Sequence, residues 1–418
     1  MSIKKPEIMA PAGNKAALNA ALKAGCDAVY FGMTNFSMRA AASNFTNAGM
    51  KELVRMCHAK GVRAYVTINV VIYESEKQKL RKALQTAKDA GVDAVICWDY
   101  AVVMMAHEMG IEAMVSTQMS VSNSSAMIFL NQQFGIKRFV LARECTLKDL
   151  IRIRKELKDR GLDDVIEIEV FAHGAMCVAV SGRCFMSENA FGKSGNRGEC
   201  RQPCRREYHV TDVDGKVSFD LGHNYVMSPK DLCTIPFIEK LLKAGVNSLK
   251  IEGRNRSPEY VYTTVKAYRD VVDFYYANKG RKGWREQFDA VKEAAFTEVS
   301  KVYNRGFSDG FYMGQPINEW VNGGGNQATI RKMHLGQVRN YYQKAGIAQV
   351  RVEGQQFKIG DTLQFEGPNT GMVQVIVEHM LDEDDTPVTV AQKGMLVTLK
   401  VPEKVRRTDR LYVLRERK

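Results

Sequence analysis

Five of the nine cysteines lie in one long segment that is rich in glycine and polar residues. They follow the pattern Cys177-x₆-Cys184-x₁₅-Cys200-x₃-Cys204, with Cys233 further along the chain. Thiols in such a segment have no core to fill, and disulfides are not expected in a reducing compartment. Clustered thiolates typically bind a soft metal, so the segment predicts a metal or metal-cluster site. The other four cysteines fall in helical or strand patterns, where a free thiol is a small buried hydrophobe: Cys26, Cys57, Cys97 and Cys145.

The spacing of the clustered thiols bears on the kind of metal. Zinc sites usually contain cysteine pairs about two to four residues apart, often together with histidine. Only Cys200 and Cys204 have such a spacing here, and irregular spacing among four cysteines favours an iron–sulfur cluster. Spacing alone prefers Cys204 as the fourth ligand. A protease dyad of Cys177 and His173 is an alternative, although no third group that would orient the histidine is evident.

Cations are concentrated in the same segment. Five basic residues lie between positions 193 and 206 against the single acid Glu199, namely Lys193, Arg197, Arg201, Arg205 and Arg206. They are candidate RNA-binding residues because clustered cations gain affinity from counterion release on phosphates. The alternative is that some of them neutralise a thiolate cluster.

The C-terminal end of the chain is also basic, and the net charge of the whole chain is +13. Such an excess favours a polyanionic partner or simply keeps the protein in solution. A basic tail often contacts a nucleic acid backbone, but solvated chain ends are commonly charged as well. The basic residues of this tail are Lys404, Arg406, Arg407, Arg410, Arg415, Arg417 and Lys418.

Short apolar runs that alternate with amphipathic segments must position these residues. Strands are predicted at Glu7–Ala10, Ala28–Phe31, Arg63–Asn69, Ala94–Trp98, Ala113–Ser116, Arg138–Ala142, Ile166–Phe171 and Ser248–Ile251. Helices are predicted at Lys15–Ala24, Met50–Lys60, Glu76–Ala90, Ser124–Phe134 and Leu147–Asp159, and several end at a glycine that favours a left-handed cap. Eight such units in roughly 250 residues predict a (β/α)₈ TIM-like barrel, with an open doubly wound sheet as the alternative.

We expect two domains. The barrel domain covers residues 1–325 and carries the cysteine-rich insertion at 175–247. Within that insertion we expect a hairpin around Asp-Val-Asp-Gly and a helix at Asp231–Lys243. Beyond the linker Asn322–Asn326, residues 326–418 change to period-two alternation, which predicts a small all-β barrel domain.

Composition excludes several classes of protein. Hydrophobic residues make up 45% and charged residues 26% of the chain, which is typical of a soluble globular protein rather than a disordered one. No apolar run approaches the roughly 20 residues of a membrane span, and the first residues do not resemble a signal peptide, so we expect a cytoplasmic protein. No Gly-x-Gly-x-x-Gly follows a predicted strand, which argues against a dinucleotide fold.

Several sequence blocks resemble the U-32 collagenase-like peptidase family from about residue 6 to the end. The most specific blocks are Phe171-Ala-His-Gly-Ala-Met-Cys177, Ser181-Gly-Arg-Cys184, Asn196-Arg-Gly-Glu-Cys200-Arg-Gln-Pro-Cys204-Arg205, Ser228-Pro-Lys-Asp-Leu-Cys233 and Lys250-Ile-Glu-Gly-Arg254. Less specific are Met9-Ala-Pro-Ala-Gly-Asn14 and Ala28-Val-Tyr-Phe-Gly32. By length and by its C-terminal domain, the chain is most similar to members that hydroxylate tRNA.

The resemblance implies an activity, a cofactor and ligands. It implies 5-hydroxyuridine formation at the wobble position of tRNA, with a [4Fe–4S] cluster and with prephenate as the hydroxyl source. The family cysteines match Cys177, Cys184, Cys200 and Cys233, so the resemblance favours Cys233 over Cys204 as the fourth ligand. The alternatives are hydroxylation of another RNA or of a quinone precursor, a collagenase-like peptidase, and a non-enzymatic RNA-binding or assembly factor.

Five polar residues end strands that would face the cluster, and we expect them to be catalytic. Arg143, Lys250 and Arg254 are expected to bind carboxylates or phosphates, since arginine pairs with both groups through two parallel hydrogen bonds. His173 and Glu252 are the acid–base candidates. The alternative role for each is a structural ion pair inside the barrel mouth.

Overall fold

The computed structural model describes residues 4–34, 36–38, 45–219, 227–316, 319–323 and 325–417. Asp220, at the end of the predicted hairpin, and Lys418, in the basic tail, lie outside these residues. The strands of the first domain are β1 (Glu7–Ala12), β2 (Ala28–Gly32), β3 (Arg63–Ile68), β4 (Ala94–Cys97), β5 (Ala113–Val115), β6 (Arg138–Val140), β7 (Glu167–Gly174), β8 (Val210–Thr211), β9 (Ser218–Phe219), β10 (Asp231–Cys233), β11 (Ser248–Ile251) and β12 (Phe307–Ser308).

Helices alternate with these strands along the chain. They are α1 (Lys15–Lys23), α2 (Asn47–His58), α3 (Lys77–Asp89), α4 (Tyr100–Glu108), α5 (Ser124–Phe134), α6 (Leu147–Asp159), α7 (Met186–Phe191), α8 (Ile238–Lys243), α9 (Pro258–Asn278) and α10 (Trp284–Lys301). Local signals start and stop them. Asn14 caps α1 by accepting from the Ala17 N–H, and Gly135 ends α5 in the left-handed conformation with φ 67°.

The predicted barrel is confirmed. Strands β1 to β7 pair in parallel in chain order, and β11 pairs in parallel with both β1 and β7, which closes a ring of eight strands. Apolar side chains between the strands and the surrounding helices form the main core. No helix in the described ranges combines the length and the apolar character that crossing a membrane requires.

Charged side chains occupy part of the barrel interior. Arg138 Nη1 lies 2.6 Å from Glu7 Oε1, and Lys250 Nζ lies 2.8 Å from Glu169 Oε1. All four residues are buried. Because a buried charge is costly without a partner, these pairs constrain the side chains that lead towards the carboxyl ends of the strands.

The cysteine-rich insertion leaves the barrel after β7. The expected hairpin is present as β8 and β9. The expected helix at Asp231–Lys243 is wrong in its first part, because Asp231–Cys233 form β10 and the helix α8 begins only at Ile238. Strand β10 pairs antiparallel with the end of β7, so tertiary pairing overrides the local pattern there.

The C-terminal domain is all-β, as expected. Its six-stranded antiparallel sheet has the order β17-β16-β20-β13-β14-β19, and β15 pairs with β18. Buried apolar side chains form its own core. The strands are β13 (Ile330–Tyr342), β14 (Ile347–Val352), β15 (Phe357–Lys358), β16 (Thr362–Gly367), β17 (Gly371–Ile376), β18 (Val390–Ala391), β19 (Leu396–Lys400) and β20 (Arg410–Glu416).

Candidate active site

A cavity of about 280 Å³ opens at the carboxyl ends of the barrel strands. Its walls come from residues on or just after the barrel strands and from the cysteine-rich insertion. In TIM-like barrels this end of the strands carries the active site, since the loops there converge from every strand. The cavity is therefore the candidate site of this protein.

Four thiols of the insertion line this cavity: Cys177, Cys184, Cys200 and Cys204. Burial raises the pKa of Cys204. The guanidinium of Arg205 lowers it, and the three other thiols raise it again. Cys204 therefore lies within electrostatic reach of Arg205 and of the three other thiols. The fold thus brings four thiols to one cavity.

Three of these thiols accept backbone hydrogen bonds from the residue two positions later. The N–H groups of Ala179, Met186 and Gln202 lie 3.5, 3.3 and 3.4 Å from the sulfur atoms of Cys177, Cys184 and Cys200, respectively. These contacts direct a backbone donor at each of the three sulfur atoms. Hydrogen bonds to ligand sulfur atoms are a means by which proteins tune iron–sulfur clusters.

Gly195 allows the insertion to fold this tightly. A Cβ at this position would lie 3.3 Å from the carbonyl oxygen of Cys184 and 3.7 Å from the Cβ of Cys200. A side chain here would therefore require the Cys184 carbonyl to move by a few tenths of an ångström. The backbone of this loop is shaped around the cysteines.

Cys233 lies apart from the four thiols. It is buried in β10, its sulfur lies 4.0 Å from the Tyr268 hydroxyl, and it does not line the cavity. Burial raises the pKa of its thiol to about 12. Strand β10 directs Cys233 into the core beside α9, whereas Cys204 lines the cavity. The choice of Cys233 as the fourth ligand stays a prediction from the resemblance, with Cys204 as its alternative.

Within the ranges that the structure describes, no group of three or more His, Cys, Asp or Glu side chains is arranged to hold a single metal ion.

Part of the cavity lining, here called the cationic wall, carries positively charged side chains. Arg143 donates to the carbonyl oxygen of Ala175 at 2.7 Å and stacks 4.0 Å from the centre of the Phe171 ring. Arg254 donates to the hydroxyls of Ser37 and Thr67, each at 2.7 Å. These contacts hold two guanidinium groups in fixed positions at the cavity, as the sequence predicts for anion-binding residues.

Among the described residues, six cations line the cavity against one carboxylate, Glu252. Burial lowers the pKa of Lys250, and its ion pair with Glu169 opposes this shift. Lys250 is paired with Glu169, and Arg305 lies 3.4 Å from Asp231, so carboxylates outside the lining offset part of this positive charge. The six cations are Arg143, Arg205, Lys250, Arg254, Arg256 and Arg305.

The two expected acid–base residues are placed differently. Glu252 lines the cavity, whereas His173 does not. His173 is buried among the rings of Tyr260, Tyr268 and Phe307, with ring centres 5.5–5.9 Å away. Burial, and then the charge of Arg256, lower the pKa of His173 to about 3, so the ring is neutral at physiological pH. The acid–base role expected for His173 does not fit this position.

A second wall of the cavity is polar and neutral. Asn69 and Gln118 are buried there together with three hydroxyl side chains. Asn69 Oδ1 accepts from the Met38 N–H at 3.1 Å, and Gln118 Oε1 accepts from the Ser116 hydroxyl. Asn69 and Gln118 lie at or just after the end of a predicted strand, where the polar side chains of a barrel converge, and the sequence predicts this position for them without a specific role. The hydroxyl residues are Thr67, Ser116 and Thr117.

The five expected RNA-binding cations divide into two groups. Arg197 binds Glu76 at 2.6 Å, and Arg205 donates to the Ser228 hydroxyl at 2.8 Å, so both hold the insertion in place. Their RNA-binding role stays a prediction. The other three side chains reach the surface, namely Lys193, Arg201 and Arg206. Of these, Lys193 lies 3.2 Å from Glu199.

The chain belongs to peptidase family U32. Residues 13–322 match the family model described as "Peptidase family U32", and residues 331–411 match "Peptidase family U32 C-terminal domain". A protein named "Collagenase" from Porphyromonas gingivalis is 39% identical over 99% of this chain and 98% of its own length.

Other relatives bear a different name. "tRNA hydroxylation protein P1" of Bacillus subtilis is 35% identical over 96% of this chain and 93% of its own length. "tRNA hydroxylation protein P" of Escherichia coli is 29% identical over 96% and 94%, respectively.

Proposed function

We propose that this protein hydroxylates a uridine of tRNA, forming 5-hydroxyuridine at the wobble position. The observation that carries the proposal is that four thiols, several cations and several neutral polar side chains line one cavity at the carboxyl ends of the barrel strands. Relatives named tRNA hydroxylation proteins match nearly the whole chain, which supports the same substrate class.

The four thiols fit an iron–sulfur cluster. Cys177, Cys184, Cys200 and Cys204 would hold it, and backbone N–H groups are directed at three of these sulfur atoms. A bound [4Fe–4S] cluster would supply a redox or substrate-binding centre beside the reacting base. The surrounding cations offset the negative charge of such a centre.

The two walls divide the remaining recognition between them. On the cationic side, Arg143 and Arg254 are held so that their guanidinium groups bind a carboxylate, which suits a dicarboxylate hydroxyl donor such as prephenate. On the neutral side, the amide oxygens of Asn69 and Gln118 already accept from Met38 and Ser116, and their amide N–H groups are donors. Uracil presents two carbonyl oxygens, which such donors complement.

A peptidase is the second candidate, because one relative is named a collagenase. Its simplest form needs Cys177 as nucleophile and His173 as base. His173 lies outside the cavity with its ring buried among aromatic side chains, so the pair does not form in this fold. The geometry therefore favours hydroxylation.

Mass spectrometry of tRNA nucleosides tests the proposal. Cells that lack this protein should contain wobble uridine without the added oxygen, and the wild-type gene should restore it. A variant with Arg254→Gln should restore little. If the tRNA is unchanged while another RNA or a quinone precursor lacks an oxygen, that molecule and not tRNA would be the substrate. Unchanged products combined with gelatin cleavage by the purified chain would favour the peptidase.

A further inference from the structure

The insertion exposes large apolar side chains beside the thiols. Phe185 is 68% exposed, Val180 is 60% exposed and Phe191 is 40% exposed. These three residues lie in a segment of the chain that also carries Cys184. Exposed apolar side chains concentrated in this way mark an interaction surface rather than ordinary solvent-facing positions.

Phe185 lies between two residues of the chain that line the cavity. Its neighbours in the chain, Cys184 and Met186, both line the cavity, whereas the Phe185 side chain faces solvent. A group that stacked on this ring would therefore lie next to whatever occupies the cavity. This position suits a nucleotide adjacent to the reacting one.

Arginines are interleaved with the aromatic rings. The guanidinium of Arg206 lies 4.6 Å from the centre of the Phe191 ring, and that of Arg183 lies 5.9 Å from the Trp98 ring. Together with Arg201, these exposed cations have no carboxylate partner among the described residues. These guanidinium groups can therefore bind an anionic partner. A nucleic acid supplies a negative charge at every phosphate, whereas a peptide with few acidic residues does not, so the charge favours a nucleic acid.

We infer that Phe185 and Phe191, with Arg183, Arg201 and Arg206, form a stacking rim that binds unpaired RNA nucleotides on either side of the target base. The rings take the faces of the bases, and the guanidinium groups bind the phosphates. The inference rests on the proposed function for its choice of tRNA. The anticodon loop of a tRNA has unpaired bases that can stack on these rings, whereas the bases of a duplex are already paired and stacked.

Binding measurements on the iron-loaded full chain test the rim. The probes are a labelled RNA hairpin with an anticodon-sized loop and a fully paired RNA duplex of similar length. Phe185→Ala should weaken binding of the loop on the order of tenfold, while Phe185→Trp should retain it. Affinity for the duplex and iron content should stay the same in both variants. Phe129→Ala, which removes a ring on α5 that is 55% exposed, should behave as wild type.

Three outcomes would overturn the rim: unchanged loop affinity in Phe185→Ala, equal weakening of loop and duplex, or competition by gelatin peptides rather than by oligonucleotides. Selective loss of loop binding without any hydroxylated tRNA in cells would refute the proposed function but keep the rim. Normal tRNA hydroxylation with unchanged loop affinity would refute the rim alone.

Discussion

Individual thiols in this protein differ in what surrounds them. Cys177, Cys184 and Cys200 receive backbone N–H groups, and Cys204 lies in the same cavity wall. Cys233 instead packs against Tyr268 in the core. Cysteine is thus present in two environments in this protein, the cavity lining and the apolar core.

Alanine substitutions at Cys204 and Cys233 should separate these environments. We expect Cys204→Ala to lose most of the iron from anaerobically purified protein, because it removes a ligand. Cys233→Ala should keep the iron and lose roughly 1 kcal/mol of stability, since it only removes buried volume. Iron analysis and urea unfolding of the two matched variants give the answer. Iron loss in Cys233→Ala alone would identify Cys233 as the ligand.

We expect the burial of His173 to make the stability of the fold depend on pH. Its pKa is lowered to about 3 in the folded chain, whereas an unfolded histidine titrates near 6.5. The unfolded state therefore binds an extra proton below pH 6.5, and this contribution to stability is lost as the pH falls from about 6.5 towards 3. Between pH 7 and pH 5 the wild type should lose about 2 kcal/mol more than His173→Phe.

Urea unfolding of both proteins at the two pH values measures this difference. His173→Phe should also retain hydroxylation activity at pH 7, because the ring does not reach the cavity. Equal pH dependence in the two proteins would show that His173 is solvated. Loss of activity with intact iron would restore its catalytic role.

At the scale of elements, the connection after β1 packs against the connection after β11, and this contact helps to position the cationic wall. A Cβ on Gly13 would lie 1.9 Å from the carbonyl oxygen of Arg254. The turn before α1 therefore fits against the turn before α9 only with glycine at this position. The backbone of Arg254 is set by its packing against a neighbouring connection as well as by its own strand.

Gly13→Ala should displace Arg254 and weaken the use of an anionic donor. We expect the donor KM to rise tenfold or more, since small misplacements of positioning groups have large kinetic costs. Arg254→Lys should have a similar effect, because lysine cannot keep both hydroxyl contacts in the same geometry. Steady-state kinetics of the two variants provide the test. Wild-type kinetics in Gly13→Ala would mean that the turn adjusts freely.

Local periodicity was sufficient to predict the strands of the barrel but not every side-chain direction. Strict alternation from Phe171 predicts that His173 faces the cavity. The pairing of β11 with β7 shifts register between Lys250 and Ile251, and this bulge turns His173 to the outer face. Strand β10 was missed for a related reason, since it depends on pairing with the end of β7.

For the candidate site, the cysteine pattern and the polar residues after strands were informative. They predicted the three thiols Cys177, Cys184 and Cys200 and most of the cationic wall. They could not separate Cys204 from Cys233, because that choice depends on how the insertion folds back over the barrel. The distinction between structural and surface arginines likewise required the contacts of Arg197 and Arg205.

At the scale of the whole molecule, the C-terminal domain is attached to the helices beside the candidate site. Asn19 of α1 donates to the carbonyl oxygen of Pro368 at 2.7 Å, and Lys23 lies 2.6 Å from Glu403. Lys332 joins Glu259 of α9 at 3.1 Å. The domain therefore has a defined orientation relative to the barrel, so its exposed cations present one fixed surface to a large ligand.

The salt dependence of tRNA binding should report on that surface. Arg407 and Arg410 are exposed on the C-terminal domain. If each binds a phosphate, the double variant Arg407→Gln/Arg410→Gln should reduce the slope of log affinity against log salt by about 0.7–0.9 per residue. Filter binding over a range of salt concentrations measures the slope. An unchanged slope would confine the RNA to the barrel domain.

The most direct test of the account is hydroxylation by the purified chain. Anaerobically prepared, iron-loaded protein is incubated with prephenate and with tRNA from cells that lack the protein, and the nucleosides are analysed by mass spectrometry. We predict wobble 5-hydroxyuridine with the wild type and with Cys233→Ala, and none with Cys204→Ala. Absence of hydroxylated uridine with fully iron-loaded wild-type protein, or the same yield from Cys204→Ala, would contradict the account.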